Sequence, residues 1–336
     1  MKKLISIICL GLSLLCGSAL ADPWMQGLML SKTSAAPGIF FAWGNIVTND
    51  QTGTVDGVTW TAQSTPTACV TSNTNHAIAW GNSLFTAASA PASAVGCSSP
   101  DGVNWTLRTM PTTETWKAMA WNGTIFCALS SSSNNGAKSS NSTSWTTETT
   151  GSSKNGAVDI VWNGSIFVVV AKGNQEEIDT SADCVSWNIY TTALPSNEGW
   201  SVIKWNGSIF VALNNTDNTY SSASSSDGVT WTGHTSLASA NWTAIAWSGS
   251  VFCAVNNNQG ANDIASSSNG TTWVSHTSGV TDSWRGVTWN GSIFAAAGTV
   301  NGYIITSPDC VTWTQQTSAS AVNDTIVSQW LQFGSY

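Results

Sequence analysis

Acids, amides and indoles recur at one place in this sequence. Five residues ahead of a repeated Trp (Trp121, Trp205, Trp247, Trp289) stand Trp116, Trp200, Trp242 and Trp284, with Asn75 and Ala157 at the equivalent places. Two residues earlier come Asn73, Glu114, Asn155, Glu198, Ala240, Asp282 and Asn323. Directly after the position lie His76, Lys117 and Arg285, three of the few cationic or titratable nitrogen groups in the chain. If these loops converge, they form indole plates rimmed by carboxylates and amides. Sugars suit such a surface, because their C–H faces stack on indoles and their hydroxyls bond to carboxylate and amide. An inverting hydrolase would instead need two carboxylates roughly 6.5–9.5 Å apart, with Glu114, Glu198 and Asp282 as the set to draw from. Spacing alone nominates no catalytic residue.

The cysteines are placed more specifically than they are counted. Cys127 and Cys253 each directly follow a repeated Phe, and Cys184 and Cys310 each replace a repeated turn glycine. Both separations are 57 residues. The expected disulfides are therefore Cys127–Cys184 and Cys253–Cys310, each joining neighbouring repeats, with Cys69–Cys97 as the remaining pair. No Cys-x-x-Cys occurs and the histidines His76, His234 and His276 are scattered, so neither metal nor cofactor is expected.

The elements that position these residues come from a repeat of roughly 42 residues, visible as Trp-Asn-Gly-Ser-Ile-Phe at Trp205 and followed by Ser-x-Asp-Gly-Val-Thr-Trp. Each unit carries four β signals: a short alternating run ending in Trp, an Asn-Gly or Ser-Gly turn of expected type I′, an apolar run, and a strand pair around an Asp-Gly turn. The Trp after that turn occurs seven times, from Trp60 to Trp313, and the repeated Phe seven times, from Phe41 to Phe294. The expected fold is all-β: a seven-bladed β-propeller of four-stranded antiparallel blades. Blade one lacks its own first strand. Thr325–Trp330 supplies it from the tail, or else Trp24–Leu30 does; the former closes the ring and protects sheet edges. Most of the 20 tryptophans are then core.

Composition narrows the partner. Lys2 and Lys3 precede an apolar run from Leu4 to Leu15 and Ala19-Leu20-Ala21, the pattern of a signal peptide over residues 1–21 cleaved after Ala21. Residues 22–336 would be the propeller, secreted or periplasmic. Without those two lysines, 8 of the 10 basic residues remain against 18 acidic ones. Such a balance opposes nucleic acid and membrane surfaces. No later run is long and apolar enough for membrane insertion. A monomer is expected.

The turns at Asp56, Asp101, Asp183, Asp227 and Asp309, with Asn141 and Asn269 in the two other units, resemble Asp-box (BNR-like) repeats of sialidase-type and photosystem II assembly-factor-like propellers. The resemblance spans residues 38–330, with Asp and Trp one residue closer than in the usual box. It implies that the carboxylate satisfies turn amides, a structural role. It does not carry sialidase activity, since an arginine triad cannot be drawn from Arg108 and Arg285 alone. The expected function is an exported, non-catalytic scaffold that binds a protein or cell-surface component at the loop face near the central channel. The alternative is a glycan-binding propeller, and after it a glycoside hydrolase.

Overall fold

Alternating and short apolar runs of three to nine residues, broken by Asx-Gly pairs, leave no helical stripe, and every regular element among the described residues is a strand. The computed structural model describes residues 40–43, 51–54, 60–63, 69, 77–88, 93–149, 156–171, 177–195, 199–216, 219–238, 240–260, 262–316 and 331–333. Six four-stranded antiparallel sheets follow one another between Ala77 and Gln316, each with its strands in chain order. Their first strands are Ala77–Gly81, Trp116–Trp121, Ala157–Trp162, Trp200–Trp205, Trp242–Trp247 and Trp284–Trp289. We number these sheets two to seven.

A further sheet combines both ends of the chain. Leu331–Phe333 pairs antiparallel with Phe40–Trp43, which continues through Gln51–Thr54 to Thr61–Gln63. Residues 325–330 and 24–30, either of which was expected to supply this strand, lie outside the described residues, as do residues 1–21, expected to be a leader. Each first strand contacts the first strand of the next sheet, and Leu331–Phe333 contacts those of both sheet seven and sheet two.

The turns hold one correction. The first hairpins of sheets three to seven do not use two-residue type I′ turns. Four residues connect the strands: Asn122 N donates to Ile125 O, and Asn122 Oδ1 accepts from Thr124 N and Ile125 N at 2.9 and 2.8 Å. Only the glycine has positive φ, +97° at Gly123 and +96° at Gly291. The Asn side chain takes over amides that a type I′ turn would leave to the ladder. Two consecutive positive φ values occur instead at Asn82 and Ser83 in sheet two.

The second turn repeats as a hydrogen-bonded unit. Asp227 Oδ1 accepts from Val229 N, Thr230 N and Ser225 Oγ at 2.8, 2.7 and 2.8 Å, while Ser225 Oγ accepts from Gly228 N. Asp101, Asp183 and Asp309 do the same, and Asn141 and Asn269 substitute for the acid. Asp56 lies outside the described residues. The indole following the turn donates back to it at Trp105, Trp145, Trp231 and Trp273, with Trp105 Nε1 on Gly102 O at 3.0 Å, but not at Trp187 or Trp313. Burial raises the Asp227 carboxyl, but the bonds from Thr230, Val229 and Ser225 outweigh it and bring the pKa down to about 2.

The core lies between successive sheets. First-strand Trp rings tilt against second-strand Phe rings with centroids 4.4 Å apart for both Trp205–Phe210 and Trp247–Phe252. The disulfides are Cys69–Cys97, which ties the segment before sheet two to its third strand, and Cys127–Cys184 and Cys253–Cys310, which join sheets three to four and six to seven. Cys184 and Cys310 hold φ of +61° and +64°, in the place where Gly228 and Gly270 stand at +79° and +71°.

Candidate functional site

The segments leading into the first strands are tied to the loops between second and third strands, so both lie on one face. Ser131 N donates to Thr115 O, Asn215 N to Gly199 O, Asn257 N to Asn241 O and Thr299 N to Ser283 O, at 2.8–3.2 Å. The same residue makes the bond in four repeats, so the face is built by the repeat itself.

The tryptophans expected to form stacking plates are core residues. Trp116, Trp242 and Trp284 are 0% exposed and Trp200 is 3% exposed. A register shift between the first and third residue of each of their strands turns the ring back between sheets. Trp242 clusters with Val202, Val211 and Leu213 of the preceding sheet, and Trp284 with Ala244, Val255 and Ile264. Trp284 Nε1 donates to Asp263 Oδ2 at 2.8 Å, and Trp242 Nε1 to Ala238 O at 3.0 Å. Their polar edges point into protein and their faces are covered.

The nominated carboxylates are clamps. Glu114 is buried at the end of Thr106–Glu114, where it accepts from Ser130 Oγ, Ser133 Oγ and Asn135 Nδ2 at 2.9, 2.7 and 2.5 Å. Burial raises its carboxyl, and the donors Asn135, Ser133 and Ser130 together carry it below the usual range. Asp282 is fully buried. It accepts from Ser283 N, Val300 N and Tyr303 N at 2.7, 2.8 and 3.0 Å, pinning residues 299–303. Both carboxylates accept hydrogen bonds from loop donors, which is a structural role. Glu198 and His76 lie outside the described residues. Lys117 is half-buried and Arg285 exposed, both at the second position of a first strand. Arg108 is on a fourth strand, at the other edge of its sheet, and donates to Ser98 Oγ at 2.9 Å.

Three charged residues were missed by sequence reasoning. Asp159 and Lys204 stand in first strands where other repeats carry Ala118, Val202 and Ala244, or Ala120, Val161 and Ala246. Repeat alignment exposes both as charges at positions that carry uncharged residues in the other repeats, Gly286 and Thr288 included. Burial pushes the Asp159 carboxyl up to about 6, against hydrogen bonds from Ile203 N and Ile160 N and the charges of Lys204 and Lys117. Burial pushes the Lys204 ammonium down, against the Asp159 charge. Asp263 receives Ser278 N at 2.8 Å as well as the Trp284 indole.

Two Ser–His pairs invite a hydrolytic reading: Ser224 Oγ to His234 Nε2 at 2.8 Å and Ser266 Oγ to His276 Nε2 at 2.7 Å. The same cross-strand position holds Ser98–Arg108 and Thr306–Gln316 in other sheets. A nucleophile–base dyad cannot be shared with arginine and glutamine, so these pairs are rungs of the outer strands. Burial lowers both histidines, with the Asp309 charge acting upward on His276.

No family model and no curated protein matches the chain in sequence. Solved structures do match. A streptogramin B lyase structure aligns with TM-score 0.62 at 12% identity over 86% of this chain and 90% of that one. The Cps50 (Swd1) β-propeller domain of Myceliophteria thermophila aligns with TM-score 0.53 at 11% identity over 70% and 84%. The fold is a β-propeller. YCF48 bound to a D1 peptide also matches, with TM-score 0.58 at 13% identity over 75% of this chain and 84% of that one. At such identities the likeness carries fold and no activity.

Proposed function

We propose that this propeller is a closed, seven-bladed, exported monomer that binds a polypeptide partner across the loop face. Cyclic contact of first strands and the tail strand on Phe40–Trp43 support the ring. The three disulfides support an oxidising compartment. Among the described residues no helix is long and apolar enough to cross a membrane.

One observation carries the binding reading: acids on this face are spent on fixing loops. Glu114 and Asp282 turn flexible connections into a preorganised rim, which lowers the ordering cost of association. That rim exposes Val300 and Tyr303 at 41% and 37%, with Arg285 also exposed. Aromatic and arginine side chains are the usual anchors of protein interfaces. YCF48, a neighbour in fold, was solved with a peptide. The lectin reading loses its stacking surface with the burial of the four indoles.

The test is affinity capture from an envelope extract beside a glycan array. A captured protein released by Tyr303→Ala or Arg285→Glu, at unchanged melting temperature, supports the proposal. Glycan binding with no captured protein contradicts it.

A further inference from the structure

Five first strands end in tryptophan: Trp121, Trp162, Trp205, Trp247 and Trp289. Each ring tilts against the Phe that opens the next strand, with centroids 4.4–4.7 Å apart. Those Phe rings are 0% exposed, but the five indoles are partly exposed. None of their Nε1 atoms makes a hydrogen bond among the described residues, and none is sealed from solvent. The tryptophans after the second turns differ, since Trp105, Trp231 and Trp273 donate to a turn carbonyl.

The turn beside each indole points its donors the same way. Asn163 Oδ1 accepts from Ser165 N and Ile166 N at 2.8 Å each, and Asn122, Asn206 and Asn290 repeat the arrangement. With the oxygen held by the turn, each Nδ2 is left without an acceptor among the described residues. In sheet six Ser248 stands in this place. The glycine and the Ser or Thr that follow are exposed in all five turns, and a Cβ built on any of the five glycines meets nothing within 4 Å. No residue of these turns is charged. Strands one and three of each sheet run in the same direction, so the first hairpins and the Asp-Gly turns share one end, opposite the loop face. Asn82 Nδ2 joins the two kinds of turn by donating to Ser140 O of the neighbouring sheet at 3.3 Å.

One module therefore recurs five times: an indole edge, unmet N–H groups, a hydroxyl and open space. Unmet N–H donors are satisfied best by carbonyl oxygens. The exposed Asp183, Asp227 and Asp309 at the same end, and the net charge of −8, oppose an anion. Identical modules match a ligand that itself repeats, because each further unit engaged adds avidity without a new kind of contact. The surface of a folded protein does not repeat in this way.

We propose that this end binds a neutral glycan built of N-acetylated hexosamine. The acetamido carbonyl accepts from the indole and Asn N–H groups, the methyl and C–H face lie against the indole edge, and sugar hydroxyls pair with Ser or Thr. The site lies at the end opposite the partner face and is independent of the partner reading.

The test follows the indole N–H signals of the oxidised full chain by NMR. The probes are N-acetylglucosamine, its β-linked oligomer, and the glucose oligomer of equal length and linkage. Trp205→Phe and its four counterparts each remove one signal and so assign it, while keeping a ring against Phe210 or its equivalent. The N-acetylated oligomer should shift these five signals, leave those of the buried Trp242 and Trp284 in place, and bind about a hundredfold tighter than the monosaccharide by engaging two modules. Asn206→Asp keeps an acceptor for the turn amides and loses the N–H donor, so the Trp205 shift should disappear while the other four persist, which also shows that the variant is folded.

Absence of any shift overturns the site, as do shifts as large with the glucose oligomer, or a Trp205 shift that survives Asn206→Asp. Shifts caused by a captured envelope protein and by no saccharide assign this end to a protein and overturn it too. A partner captured without saccharide shifts overturns this site and spares the partner reading. Saccharide shifts with no captured partner do the reverse.

Discussion

Replacing Thr86 and Ser142 together by cysteine should create a third inter-sheet disulfide. The residue after the second-strand Phe faces the turn residue of the next sheet: Cys127 meets Cys184, and Cys253 meets Cys310. A Cβ built on Gly228 would lie 2.8 Å from Val168 Cγ2, and one on Gly270 2.4 Å from Val211 Cγ2, which is the same juxtaposition. Thr86 and Ser142 occupy these places in sheets two and three. Ser142 already holds φ of +62°, beside +61° and +64° at Cys184 and Cys310. Both hydroxyls are buried without a hydrogen-bond partner among the described residues, so nothing is lost by their removal. Closing a loop of about 56 residues restricts the unfolded chain by about 4 kcal/mol on the chain-entropy scale. For a chain of this size that corresponds to a rise of about 6 °C in melting temperature. Non-reducing mass spectrometry reads the bond and thermal unfolding reads the gain. Free thiols at both positions after oxidation would refute the juxtaposition, and a bonded variant that melts no higher would refute the entropic account.

Four further outcomes follow from the packing and titration. Cys253→Ala with Cys310→Ala should lower stability by about 4 kcal/mol and make sheet seven the first target of limited proteolysis. Trp242→Ala should cost about 3–5 kcal/mol in denaturant unfolding, because the ring fills an inter-sheet space. Asp159 has a folded pKa of about 6, above its unfolded value, so its neutral form stabilises the fold below about pH 4 and that contribution disappears as pH rises through 6. The loss, up to about 3 kcal/mol, should vanish from the stability–pH curve of Asp159→Asn. Asp227 shows the opposite sign: depressed to about 2, it stabilises above its ordinary pKa and ceases to as pH falls from about 4 to 2, an acid limb that Asp227→Asn should flatten.

The sheets were legible because each repeat carries its own strand pattern and turn residues. The cysteine spacing was legible because it counts one repeat plus a fixed offset. The turn type was not, since Asn-Gly satisfies both a type I′ turn and the four-residue Asx loop seen at Asn122-Gly123, and the side-chain bond to Ile125 N decides between them. The site failed for a related reason. Trp at the start of a strand looks identical in sequence whether its ring faces solvent or folds back at a bulge, as Trp116 does. Glu114 and Asp282 read as acids but act as amide acceptors, because a carboxylate near a Ser- and Asn-rich loop finds donors there first. Asp159 and Lys204 were visible as charges at otherwise uncharged repeat positions. Alignment of the repeats by position, rather than by motif, singles them out.

The proposed closed ring depends on the tail strand pairing with Phe40–Trp43. Ala42 is registered opposite Leu331 across the two chain ends. Ala42→Cys with Leu331→Cys should therefore form a disulfide on mild oxidation, giving a species that migrates faster without reductant and melts higher. Thiols that stay free, or that bond only between molecules, would contradict closure.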